Sequence, residues 1–225
     1  LMERVRKEER EKQITERKLL QSQINPHFVS NTLDSIIWMI QSKKYEGAGK
    51  MVSMLAKFFR ISLSQGKDII PLQKELEHAV SYLSIQNVRF QDKFTFTVDW
   101  DEKLADCLCP KLVIQPLLEN AVYHGMEGMY EDGEIQLKIY AVNELVHIDV
   151  IDNGEGMTEA QVQKMMQGDV VSSKRGSGIG VKNVNDRIKL YFGEAYGVQI
   201  ISAPDEGTTA RIYFPMRRQE DETEK

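Results

Sequence analysis

Five short groups of residues in this chain could do chemistry. His27, within Asn25-Pro26-His27-Phe28, has Asn31 four residues on and Asp34 seven on, so a helix would carry all three along one face. An imidazole is the side chain that can serve as a neutral nucleophile or proton carrier near pH 7. Asp152-Asn153-Gly154-Glu155-Gly156 follows an apolar stretch containing Val146, Ile148, Val150 and Ile151. Glycines placed just after a strand let a ligand approach the backbone, and a carboxylate such as Asp152 can accept a hydrogen bond from an exocyclic amine like that of adenine.

Gly176, Gly178 and Gly180 alternate ahead of a helical pattern from Val181 to Leu190. Successive backbone N–H groups beside the positive end of a helix make a cradle for phosphates. The run lacks the Gly-Lys-Ser/Thr ending of a P-loop and sits too late in the chain for a dinucleotide fingerprint. Glu119-Asn120 interrupts an otherwise apolar helical stretch of Leu112, Val113, Leu117, Leu118 and Val122, with His124 one turn further on. The amide oxygen of Asn120 suits Mg²⁺ beside a triphosphate, and Glu119 is a polar intrusion that needs a partner. Gly207-Thr208-Thr209 enters a final strand pattern. Singly, each group has an ordinary explanation, since a lone histidine or asparagine on a helix is usually structural and an Asn-Gly after a strand is usually a turn.

The elements that must position these groups fall into two halves. Residues 3–18 hold twelve charged side chains in sixteen positions and read as an exposed signalling or connecting helix. From Leu19 the pattern is helical: one helix ending before Gly47 and Gly49, a second from Met51 to about Gly66, and a third starting in its first turn with Pro71 and running to Val88. Phe94, Phe96 and Val98 then alternate with polar residues at the period of a strand. Strands are expected near 94–100, 134–140, 146–152, 198–202 and 208–214. Helices are expected from Pro110 to Gly125 and from the glycine run to about Phe192, with a mobile glycine- and serine-containing stretch near 167–178. The fold class is α+β: a helical domain over 19–91, an α/β-sandwich over 92–218 with helices on one face of a sheet, and a polar tail at 219–225.

Composition narrows the partners. A formal charge of −5, from 34 acidic and 29 basic residues, supplies no global positive field for nucleic acid. Cys107 and Cys109 stand two apart with no second pair, which fits buried thiols in a reducing compartment and neither zinc nor a disulfide framework. No run reaches the roughly 20 apolar residues of a membrane span. The chain also opens inside a helical pattern, so a longer protein with an upstream, membrane-anchored portion is expected.

The order of the groups carries more than any one of them. An asparagine on a helix, Asp-x-Gly-x-Gly after a strand, Gly-x-Gly-x-Gly before a helix and Gly-Thr-Thr entering a strand resemble the four boxes of the GHKL ATPases, over about residues 92–216. Asn25-Pro26-His27-Phe28 with Asn31-Thr32-Leu33 resembles the phosphoacceptor segment of sensor histidine kinases of the LytS/YesM type, and Leu72 to Phe90 resembles the segment between that family's two domains. The resemblance implies ATP and Mg²⁺ as cofactors and autophosphorylation of His27, with Asn31 beside it and Glu119 the first candidate to orient its imidazole. It implies that Asp152 reads adenine, that Thr208 or Thr209 supports it through water, and that Asn120 holds the metal. Gly154 and Gly156 would shape the adenine loop, and Gly176, Gly178 and Gly180 would wrap the phosphates. A response regulator would receive the phosphoryl group, a homodimer would form through residues 19–65, and the site of action would be the cytoplasmic side of the cell membrane. The alternative is a GHKL-type regulatory module or ATPase without histidine phosphorylation. Two positions depart from the pattern: Val29-Ser30 replaces bulky apolar residues, and Tyr123 stands where many relatives have a lysine. Phosphate contact then falls to His124 and the backbone, with Lys174 and Arg175 as further loop candidates.

Overall fold

A computed structural model describes residues 26–62, 68–91, 93–125, 132–168 and 179–218, and for His124 and Gly125 the backbone only. The chain divides into two compact units, residues 1–62 and 63–225.

The first unit is a helical hairpin of α1 (Pro26–Gln41) and α2 (Tyr45–Ser62). Phe28 is 1% exposed and its ring meets Phe58 at 4.9 Å, with Ile36, Ala48, Met51 and Leu55 buried alongside. The reversal comes earlier than the glycines suggest. It lies at Ser42–Lys44, with Lys43 at a φ of 59°, and Gly47 and Gly49 fall inside α2. Ala48, Met51, Leu55 and Phe58 continue one buried stripe, and their burial outweighs the roughly 1 kcal/mol that each glycine costs a helix. What precedes Pro26, including Asn25 and the charged stretch 3–18, lies outside the described residues.

The second unit opens with a short strand, β1 (Ile69–Pro71), and the helix α3 (Leu72–Arg89). Pro71 is not the first helical residue; at φ −59° and ψ 141° it closes the strand and precedes the helix. Next come β2 (Phe94–Trp100), β3 (Leu108–Pro110), α4 (Gln115–Asn120) with a π-helical turn (Ala121–Gly125), β4 (Gly133–Val142) and β5 (Leu145–Asp152). The unit closes with α5 (Glu159–Gln167), α6 (Ile179–Phe192), β6 (Gly197–Ser202) and β7 (Thr208–Pro215). The main sheet has the order β2-β4-β5-β7-β6, with β2 parallel to β4 and the other pairs antiparallel. Its buried face carries Phe94, Ile135, Leu137, Ile139, Val146, Ile148, Val150, Ile212 and Phe214, and the helices contribute Leu83, Leu117, Leu118, Val181, Val184 and Ile188 to the core.

Two further features differ from the sequence expectation. Residues Leu108–Pro110 pair with β1 in a separate two-stranded sheet, so α4 begins at Gln115 and not at Pro110. Three-residue strands are too short for a period of two to show. The helix α5 is held by a capping box, Thr158 accepting from the Gln161 amide while the Gln161 side chain accepts from the Thr158 amide. The helix α3 falls in the same compact unit as the sheet. Among the described residues no helix is long and apolar enough to cross a membrane. Cys107 and Cys109 are buried free thiols.

Candidate functional site

Strand register gathers the site at one end of the main sheet. Asp152, the last residue of β5, lies opposite Ile135 near the start of β4 and opposite Thr208 at the start of β7. Asp152 is 9% exposed, and its Oδ1 accepts the Gly154 N–H at 3.0 Å. Burial pushes this carboxyl up to about 6, while backbone N–H groups of Gly154 and Thr208 oppose the rise.

The two glycine turns around Asp152 interlock. A Cβ added to Gly156, at φ +65°, would stand 1.9 Å from the Ala203 carbonyl oxygen; one added to Gly207, at φ +78°, would stand 2.1 Å from the Asp152 carbonyl oxygen. No L side chain fits either place. Ser202 Oγ accepts the Met157 N–H and lies within hydrogen-bond distance of the Gly207 carbonyl oxygen and Thr208 Oγ1, and the Asp205 N–H donates to the Glu155 carbonyl. Asn153 ties the other side, accepting from the Glu134 N–H and donating to the Asp132 carbonyl.

Asn120 ends α4, and the π-helical turn that follows is a local widening of the kind often found at functional sites. Asn120 is half-buried and, among the described residues, its side-chain amide makes no hydrogen bond, which leaves its oxygen available. Such a single neutral oxygen fits Mg²⁺, which keeps several waters and takes its other ligands from phosphates. Glu119 accepts from Gln115 Nε2 at 2.9 Å. The start of α4 is fixed from α3: the fully buried Glu75 carboxylate accepts the N–H groups of Leu112, Val113 and Ile114 at 2.8, 2.7 and 2.9 Å. Burial pushes the Glu75 carboxyl up, against the three amides and the nearby Arg187, whose Nη1 donates to the Lys111 carbonyl. At the other end of α3, Gln86 Nε2 donates to the hydroxyls of Tyr82 at 2.7 Å and Tyr123 at 3.2 Å. Burial raises the Tyr82 phenol well above its usual range, with Glu119 and Tyr123 adding to the effect.

The family models match both halves. A "Histidine kinase" model covers residues 15–94, and a "Histidine kinase-, DNA gyrase B-, and HSP90-like ATPase" model covers residues 107–218. The chain belongs to the histidine kinase family. It is 39% identical over 205 residues to the sensor histidine kinase YesM of Bacillus subtilis, covering 91% of this chain and 34% of that protein. It is 33% identical over 211 residues to the sensor protein LytS of Bacillus anthracis, covering 93% and 36%. It thus spans about a third of the length of these curated relatives. Among solved structures, the catalytic domain of the histidine kinase ThkA has the same fold at a TM-score of 0.52 and 16% identity, covering 66% of this chain and 96% of that one.

Of the residues singled out from the sequence, the sheet end brings together Asp152, Gly154, Gly156 and Thr208. Thr209 pairs with Ile151 and Ile201, so strand alternation puts it on the opposite face from Thr208. Gly180 lies in the first turn of α6, where an added Cβ would sit 3.4 Å from Pro116 of α4; it permits close helix packing. Gly176, Gly178, Lys174 and Arg175 lie outside the described residues, and His124 is described by its backbone alone. In the helical hairpin His27 is exposed because Phe28 turns into the core, with Asn31 half-buried and Asp34 exposed. The sequence motifs missed Ser202, and the roles of Asn153 and Glu75. A lone carboxylate in the buried stripe of Leu72, Leu76 and Ala79 was the signal for Glu75; nothing marked Ser202.

Proposed function

We propose that this chain is the catalytic portion of a two-component sensor kinase that binds Mg·ATP around Asp152 and transfers the γ-phosphoryl group to His27. The observation that carries the nucleotide half is the nearly buried Asp152 carboxylate at the sheet end, held by the Gly154 amide between two turns that exclude any Cβ. A carboxylate so placed accepts from the 6-amino group of adenine and would meet an acceptor in the 6-oxo group of guanine, so it favours adenine. Thr208, on the same strand face, supports it. Asn120 supplies the protein ligand to the metal, which when bound neutralises phosphate charge. Gly176, Gly178 and Gly180, with His124, line the phosphates. Transfer forms an N–P bond on the imidazole, breaks the bond between the γ-phosphorus and the bridging oxygen, and releases ADP. Catalysis here is chiefly positioning and charge neutralisation. Glu119 orients the imidazole by accepting from its other nitrogen, with Asn31 beside His27.

A purely hydrolytic cycle has less support, because gyrase-like members place a glutamate base four residues before the metal asparagine and Pro116 occupies that place. The exposed Leu33, Ile37 and Ile40 recur at helical spacing along α1 and fit a second copy of the chain as partner. A response-regulator aspartate receives the phosphoryl group, and an upstream anchor holds the protein at the cytoplasmic face of the membrane. The test is incubation with labelled ATP and Mg²⁺. Acid-labile, base-stable phosphate that disappears in His27→Gln, while that variant still binds ATP, is the expected result; label retained in His27→Gln refutes the assignment.

A further inference from the structure

Arg89 stands in the last turn of α3, at the same end of the sheet as Asp152. The register requires this: β2 begins shortly afterwards at Phe94, Phe94 lies opposite Gly133, and Ile135 two residues along β4 lies opposite Asp152. The guanidinium reaches toward α4. Its Nη1 donates to Gln86 Oε1 and, at 3.5 Å, to the hydroxyl of Tyr123, in the π-helical turn directly after Asn120.

Both acceptors are neutral. Among the described residues no carboxylate lies within ion-pair distance of Arg89, in contrast to Arg211, which forks onto Asp149 at 2.8 and 2.7 Å, and to Lys182, which pairs with Asp186. Gln86 is itself fully buried and held by the Tyr82 and Tyr123 hydroxyls, so the group that orients the guanidinium is fixed in turn. A planar guanidinium with uncommitted N–H donors, held in place beside the end of the asparagine helix, matches the geometry of phosphate oxygens. Tyr123 brings no charge of its own to that position; the side chain resting on it does.

We propose that Arg89 is a phosphate-binding residue of the nucleotide site, oriented by Gln86 and Tyr123 and donating to the distal phosphates of ATP beside Asn120. The inference rests on the ATP site proposed above. Adding a charged donor to the distal phosphates favours ATP over ADP and ADP over AMP, and makes ATP affinity fall more steeply with salt.

The test measures binding of ATP and ADP with Mg²⁺, and of AMP, to the full 225-residue chain in wild type, Arg89→Ala, Arg89→Lys and Tyr123→Phe. Arg89→Ala is expected to weaken ATP binding roughly tenfold or more, ADP less, and AMP by no more than about twofold. Arg89→Lys should recover part of the loss, and Tyr123→Phe should give a smaller loss in the same order of nucleotides. The salt dependence of ATP binding should flatten in Arg89→Ala. Unchanged ATP affinity in Arg89→Ala overturns the proposal, and so does an equal loss for all three nucleotides, which would make Arg89 a support for α3 alone. A wild-type chain that binds none of the three removes the ATP site itself and this inference with it; a wild type that binds ATP beside an unaffected Arg89→Ala removes only the inference.

Discussion

The Val113 amide donates to the buried Glu75 carboxylate at 2.7 Å, joining the first turn of α3 to the lead-in of the helix that ends in Asn120. Leu112, the residue before, holds a φ of 58°, a conformation that needs such local support. Three amides share the one carboxylate, so replacing an oxygen by NH₂ sets donor against donor. Glu75→Gln should cost about 2–4 kcal/mol of stability, read from denaturant unfolding of the sheet unit. Nucleotide affinity should fall in the same variant under native conditions. Wild-type stability would remove Glu75 from the positioning of α4.

Gly207 and Asp152 meet through the backbone. Because a Cβ at Gly207 would lie 2.1 Å from the Asp152 carbonyl oxygen, at a φ of +78°, Gly207→Ala must displace the end of β5. The expected outcome is a loss of about 2–4 kcal/mol in stability together with weakened ATP binding. Gly49→Ala is the matched control, since beyond the helix's own backbone nothing lies within 4 Å of its added Cβ and the change should stabilise α2 slightly.

The pH dependence of binding follows from Asp152. With its carboxyl raised to about 6 by burial, the ligand-free site takes up a proton as pH falls through that value, and a protonated Asp152 accepts less well from the adenine amine. ATP affinity should therefore drop below pH 6, by roughly tenfold per pH unit at the limit. Asp152→Asn should bind weakly and keep only the nucleotide's own titration. The sign for stability is the reverse: the folded chain binds this proton more tightly than the unfolded one, so the contribution is full below the unfolded value of 3.8 and is lost as pH rises through about 6. Calorimetric binding curves between pH 5 and 8 for both proteins separate these effects.

Phe28 holds α1 to α2 through Phe58 at 4.9 Å while its neighbour His27 faces outward. Phe28→Ala should cost about 3–5 kcal/mol in the hairpin and abolish phosphorylation of His27 without changing ATP affinity. Phe28→Leu should recover most of both. A Phe28→Ala variant phosphorylated at the wild-type rate would detach the presentation of His27 from this packing.

Glu119→Gln should slow phosphorylation of His27 roughly 10²-fold or more with ATP affinity near wild type. Because Gln115 Nε2 already donates to Glu119, the comparison variant is Gln115→Ala, which removes the local partner and leaves the carboxylate. A loss in Gln115→Ala as large as that in Glu119→Gln would assign Glu119 to local structure.

The strands of the sheet and most of the chemical motifs were legible in the amino-acid order, because alternation at a period of two, a buried helical stripe and glycines beside a strand end are local statements about which face or φ a residue needs. Phe94 to Val98, the Asp152 turn and the helix that carries His27 are of this kind. The order of four motifs also pointed to the family. Tertiary structure decided what depends on residues distant in sequence. The pairing of β1 with β3 moved the start of α4, and the packing of the Ala48–Phe58 stripe overrode two glycines in α2. Strand register put Thr208 beside Asp152 and Thr209 on the other face. Glu75 reaches amides 37 to 39 residues away, and Arg89 reaches Tyr123 across 34. Spacing along the chain cannot report such contacts, because they exist only when separate elements pack and a buried polar group must find its partner wherever the fold brings one.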